Sequence, residues 1–460
     1  MDAPRLTRRQ MLCGAGSGLG LLGLAGMFAD AQSTDPRRSN PLAARTPHYP
    51  ARAKRVIFLF MPGGPSQTDT FDPKPRTAAE SGKPLPLASL GLTRVVPGKL
   101  LGTPWKFAKH GESGIEVSEL FPHLARKVDD LCVIRSMVAD NISHPGAYRQ
   151  MHTGEETFSR PSMGSWLLYG LGSENQNLPG FVVISPQETQ GSMGWSSSFL
   201  PAAYQGTYVS DLANPIANLA GARPASSQRP SLDLLRSLNE RHARARPDDS
   251  GLDARIASFE LAFRMQTEAP EAFDVERESE ETKRLYGLDR KECAVYARQC
   301  LMARRLAERG VRFIEVFSPV NWDHHEKLKA NHPVNCAAVD RPIAGLLHDL
   351  KARGLLDDTL VVWGGEFGRT PTAEGTDGRD HHPHGFTMWL AGGGVKGGIV
   401  HGATDEFGWN AVENKVHVHD LHATILYLMG IDHEKLTFRH GGRDYRLTDV
   451  YGSVVQALLA

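Results

Sequence analysis

Cysteine is scarce in this chain. There are five in 460 residues (Cys13, Cys132, Cys293, Cys300, Cys336), none in Cys-x-x-Cys spacing. That excludes a thiolate zinc cluster and a disulfide scaffold. Excess charge is also lacking, since 52 Lys and Arg balance 52 Asp and Glu. No global field therefore draws the chain to nucleic acid or an anionic membrane. Several catalytic signatures are missing: there is no Gly-x-Ser-x-Gly elbow and no His-Glu-x-x-His, and Gly392-Gly-Gly-Val-Lys-Gly-Gly398 lacks the phosphate-loop spacing. What is abundant is histidine, 19 residues, and glycine, 46.

The N-terminus carries an address. Thr7-Arg8-Arg9-Gln10-Met11-Leu12 is a twin-arginine pattern, followed by a Gly/Ala/Leu-rich apolar segment to Phe28 and a small-x-small site at Ala29-Asp30-Ala31. The segment is too short and glycine-rich for a stable membrane span. We expect residues 1–31 to be a signal peptide read by the twin-arginine export machinery, and the mature chain to be periplasmic or extracellular. An uncleaved anchor is the alternative. Residues 32–54 read as an irregular mature N-terminus, with one domain from 55 to 460.

Short apolar runs mark strands: Arg55–Met61, Leu131–Ile134, Phe181–Ile184, Arg312–Phe317, Leu360–Trp363 and Phe386–Leu390. Residues 73–113 read as a long loop, and a Ser/Gly/Pro-rich surface stretch runs to about Pro230. From 231 to 310 the pattern turns helical, divided at Pro247 and Pro270. Leucines at 346, 347 and 350 fit a further helix ending near Gly354, and Asp420 fits the cap of another. Near-continuous apolar strands alternating with helices predict an α/β fold: a parallel sheet covered on both faces, with a helical excursion at 231–310.

Four strands are followed by ligand-type residues: Asp69 and Asp72; His144; Asp323, His324 and His325; and Glu366, Asp380 and His381. In such a sheet these loops share one edge, where ligands bind. Carboxylates and imidazoles without thiolates suit a divalent metal: zinc, manganese or iron, or calcium or magnesium for carboxylate-rich subsets. Arg369, Arg149 and Arg379 are candidates to hold an anionic group. Each residue also has a structural reading, as a turn former, a helix cap or, for Glu366 and Arg369, an ion pair.

Taken together, Pro62-Gly-Gly-Pro-Ser-Gln-Thr-Asp-Thr-Phe-Asp-Pro-Lys-Pro75, Asn321-Trp-Asp-His-His325, Gly365-Glu-Phe-Gly-Arg-Thr-Pro371, Gly378-Arg-Asp-His381 and Asp420-Leu-His-Ala-Thr424 resemble the exported domain-of-unknown-function family 1501. That family is placed in the alkaline phosphatase/sulfatase-like superfamily. The resemblance implies a largely parallel central sheet sandwiched by helices, with a metal site at one edge. It also implies a hydrolase of phosphate or sulfate esters acting on a small molecule or carbohydrate. Asp69, Asp323, His325, Glu366, Asp380 and His381 are then the metal candidates, and Ser143, His144 and Arg369 the catalytic ones. The usual sulfatase Cys-x-Pro-Ser-Arg is absent, and Glu366-Phe367 stands where Asp-His is expected. A catalytically inactive envelope binding or scaffold protein that keeps the fold is the alternative.

Overall fold

The computed structural model describes residues 40–86, 97–186, 191–216, 225–244 and 250–460. The expected signal peptide and the dividing Pro247 lie outside the described residues, and residues 40–54 form no regular element. No helix among the described residues is long and apolar enough to cross a membrane.

Among the described residues nine strands make the central sheet: β1 (Arg55–Phe60), β2 (Leu131–Val138), β3 (Phe181–Ile184), β4 (Thr207–Val209), β5 (Phe313–Phe317), β6 (Thr359–Gly364), β7 (Phe386–Ala391), β8 (Ile399–His401) and β9 (Val416–His417). Their order is β8-β2-β7-β6-β1-β5-β3-β4, with β9 also on β2. β1 lies at the centre, parallel to β5 and β6, in the register Phe60↔Phe317 and Phe60↔Gly364.

The period of two along each strand explains the layering. Ile57, Leu59, Ile314, Val316, Val361 and Trp363 face one core. Val56, Phe58, Phe60, Phe313, Leu360 and Val362 face the other. All six residues of β1 and all six of β6 are buried. Each such large apolar side chain contributes about 1.5–3 kcal/mol on leaving water, so this pattern fixes the register strongly. Among the helices, Ala294–Glu308 and Leu328–Ala352 cover the first face. Met163–Leu171 and Val418–Leu428 cover the second.

The α/β class and the largely parallel sheet are as expected, but several details differ. β7 runs antiparallel to both neighbours. The chain returns to the loop edge through a two-residue ribbon, Gly368–Arg369 with His381–His382, so the next strand must start there and run back. The presumed loop at 73–113 holds a helix, Pro75–Ala79, and the first strand of a hairpin that pairs Phe107–His110 with Ile115–Ser118. Pro270 sits inside a helix, Ser250–Phe273, instead of dividing the region. Asp420 is not the cap of Val418–Leu428. His417 is, and Asp420 closes the capping box three residues in.

Candidate metal centre

The carboxyl ends of β1, β2, β5 and β6 and the start of β7 share one edge, and the loops there converge. After β1 the chain turns at Gly63, φ +103°, whose N–H donates to Glu366 Oε1 at 2.9 Å. A Cβ at Gly63 would stand 2.2 Å from Asn321 Oδ1, so only glycine lets the first and third loops touch. The β6 loop is held from below by Gln67. Its side chain donates to Arg369 O at 2.7 Å and accepts from Arg369 N at 2.9 Å, as a neighbouring strand would. The ribbon then sets His381 opposite Arg369.

Three histidines from three loops meet at one oxygen. His325 Nε2 lies 2.8 Å, His144 Nε2 3.1 Å and His381 Nε2 3.3 Å from Asp323 Oδ1. Each ring is held from behind at Nδ1. His144 Nδ1 meets Glu366 Oε1 at 2.6 Å, His325 Nδ1 meets the Glu374 carboxylate, and His381 Nδ1 meets Ile142 O at 2.6 Å. A carbonyl can only accept, so His381 carries its proton on Nδ1, and the two carboxylates favour the same tautomer in the other rings. In the neutral state of the three rings, every Nε2 lone pair faces inward. His325 and His381 bring theirs to 2.9 Å of one another. His144 Nε2 is buried with no aligned hydrogen-bond partner despite its nearness to Asp323.

Such a pocket attracts a cation. Burial works against charging His144, but Asp323 and Glu366 overcome it and push its pKa up to about 9, so near neutral pH a proton occupies the ring wherever no metal ion displaces it. Burial likewise opposes charge on Asp323, yet His144, His381 and Arg369 hold its carboxyl far below the usual carboxylate range. Backing of each imidazole by an acceptor is the usual companion of metal ligation, because it fixes the tautomer and the ring orientation. The donor set therefore fits a divalent ion.

The other expected site residues fall in different places. Glu366 is buried behind His144 and is not among the converging ligand atoms. Asp69 is a correction: it lies fully buried against Arg379, with Nε–Oδ2 at 2.7 Å and Nη2–Oδ1 at 3.1 Å, because a carboxylate buried there needs a charged partner. Arg369 is another. Its guanidinium is buried and donates to Gly63 O, Gly64 O, Arg379 O and Asp323, so it positions Asp323. Asp380 joins His325 and Glu374 in an adjoining ligand group. Ser143 is exposed at the start of helix His144–Thr153, and its side chain makes no cap. His144, expected in a catalytic role, is one of the four converging residues. Glu374 escaped the sequence reading, since a lone glutamate in Thr372-Ala-Glu-Gly375 has no spacing that marks it.

Several solved structures resemble the chain at low identity. The PsFucS1 sulfatase from Pseudoalteromonas sp. is 13% identical, with a TM-score of 0.37, over 89% of this chain and 72% of that one. A TAB5 alkaline phosphatase mutant with magnesium bound is 10% identical, with a TM-score of 0.35, over 83% and 99%. The C-terminal periplasmic domain of EcEptC from Escherichia coli, in complex with zinc, is 9% identical, with a TM-score of 0.33, over 85% and 88%. Similarity at this level says nothing about chemistry. Among curated proteins none matches. The family model described as "Protein of unknown function (DUF1501)" matches residues 53–459, nearly the whole chain, and the chain belongs to that family.

Proposed function

We propose that the chain is an exported, metal-dependent hydrolase of phosphate or sulfate esters, with a small-molecule or carbohydrate ester as substrate. The observation that supports this best is the set of three imidazoles tied back at Nδ1 whose Nε2 atoms meet at Asp323 Oδ1. His144, Asp323, His325 and His381 would hold the ion. A divalent cation there supplies Lewis acidity toward an ester oxygen and a nucleophile formed near neutral pH. Three imidazoles and one carboxylate suit zinc or manganese better than calcium or magnesium, which prefer oxygen donors.

The chain's own groups have distinct tasks in this reading. Arg369 holds Asp323 in place and offsets its charge. Glu366, Glu374 and Ile142 O orient the three rings. Asp380, beside His325, would take a proton from an attacking group. Ser143, next to His144 and exposed, is the candidate hydroxyl nucleophile, and water is the alternative. The twin-arginine pattern at Thr7–Leu12 supports export. Recovery from the periplasm of a chain beginning at Gln32 would test it.

One observation favours a non-catalytic binding protein instead. Arg149, Arg369 and Arg379, the cations expected to hold an anionic ester, all donate to protein acceptors. Turnover of an aryl phosphate or sulfate separates the two readings. Hydrolysis that disappears in His381→Ala supports the enzyme; no turnover of any such ester by the metal-loaded chain supports the binding protein.

A further inference from the structure

A second cluster stands outside the centre just described, and none of the roles above uses it. Asp140, His417 and His419 each offer one ligand atom, all within 4.8 Å of one another. They line a cavity of about 990 Å³ that Glu155, Glu434 and Tyr451 also border. His417 Nδ1 accepts from His419 N–H at 3.2 Å as the cap of Val418–Leu428. Its proton therefore sits on Nε2, which lies 3.1 Å from Asp140 Oδ2.

His419 is the telling residue. It is 5% exposed, stacks on His417 and on Tyr451 with ring centroids 4.8 and 5.1 Å apart, and borders the cavity. Its Nδ1 is buried and has no hydrogen-bond partner. A buried ring nitrogen left unpaired costs free energy that a purely structural role does not recover. A carboxylate and a second imidazole each bring a ligand atom within 4.8 Å of one on this ring, and that is the donor set of a borderline cation.

We propose that Asp140, His417 and His419 bind a second divalent cation of the zinc class, tying the helix Val418–Leu428 to the loop after β2. The ion takes the place of the proton between His417 Nε2 and Asp140 Oδ2. That proton moves by way of solvent to Nδ1, so no charge leaves the ring and the His419 N–H capping bond is given up. Asp420 keeps the helix start closed by accepting from His417 N at 2.9 Å. The site bears on the first centre by position. Asp140 lies two residues before Ile142, whose carbonyl holds His381, and four before His144. Gln150 grips Asp140 as well, accepting from its N–H at 3.0 Å and donating to its carboxylate. An ion on Asp140 thus steadies the loop that presents His144.

The two sites are separable by mutation. A full-length chain carrying Asp323→Ala and His381→Ala is titrated with zinc(II) by calorimetry and with cobalt(II) by visible absorption. One ion per chain remains bound, is lost on adding His419→Ala, and binds more than about tenfold more weakly with Asp140→Asn. If the doubly substituted chain does not fold, His419→Ala alone in the unmutated background lowers the bound metal by one ion per chain. Titrations that His419→Ala and Asp140→Asn leave unchanged overturn the proposal, whatever becomes of the first centre.

Discussion

His325 Nε2 and His381 Nε2 stand 2.9 Å apart, each on a ring whose Nδ1 is held by an acceptor behind it. Two neutral imidazoles so tethered point lone pair at lone pair. That contact is unfavourable unless a positive charge lies between them or beside them, and Asp323 completes the nest. The chemistry proposed here follows from this contact.

Glu374 is the tether of His325, and its role is to orient the ring. Glu374→Gln is expected to weaken metal binding by about 10- to 100-fold with no change in melting temperature. Calorimetric titration with zinc(II) checks it. An unchanged affinity would mean that the tether is incidental.

Asp69 and Arg379 form a fully buried pair. Asp69→Ala leaves an uncompensated guanidinium and is expected to cost about 3–5 kcal/mol of stability. It should leave the number of bound ions unchanged. A double-mutant cycle with Arg379→Met, read by urea unfolding, should show the double variant losing far less than the sum of the single losses.

Gly63 lets two loops of the centre touch. Gly63→Ala would put a Cβ 2.2 Å from Asn321 Oδ1 and 2.6 Å from Asp323 N. The β5 loop must then move, so loss of bound metal and a lower unfolding midpoint are expected together. Retention of both would show that the loops have slack the close approach does not suggest.

Acid should unfold the chain by way of buried neutral histidines. Burial pushes the pKa values of His332 and His422 down to about 3, so the folded state resists protonation. The unfolded chain binds those protons near pH 6.5. Stability is therefore full above pH about 6.5 and is lost as pH falls toward 3, by up to about 1.4 kcal/mol per unit for each histidine. Urea midpoints between pH 7 and 4 measure the slope, and His422→Gln should flatten it.

Much of the fold is legible in the sequence because its strands are buried on both faces. Phe181–Ile184 is an uninterrupted apolar run and is a strand with the same bounds. Three strands of the central sheet gave no such sign. Thr207–Val209, Ile399–His401 and Val416–His417 have only two or three residues each and take their conformation from the neighbour they pair with. Nor does the local pattern tell the direction of β7, which is set by where the ribbon before it leaves the chain. At the site, Asp323, His325 and His381 stand out as ligand types clustered after strands. Asp69 and Arg369 look the same in sequence. Only three-dimensional placement separates Asp323, whose carboxylate meets three imidazoles as well as Arg369, from Asp69, which is buried against Arg379.

His144, Asp323, His325 and His381 are proposed to hold a metal ion together. The most direct test is elemental analysis of chain exported and folded natively, alongside Asp323→Ala and His381→Ala chains shown by circular dichroism to be folded. Each variant is expected to carry one ion per chain fewer than the unmutated protein. Equal metal content in all three, or none in the unmutated chain, would contradict it.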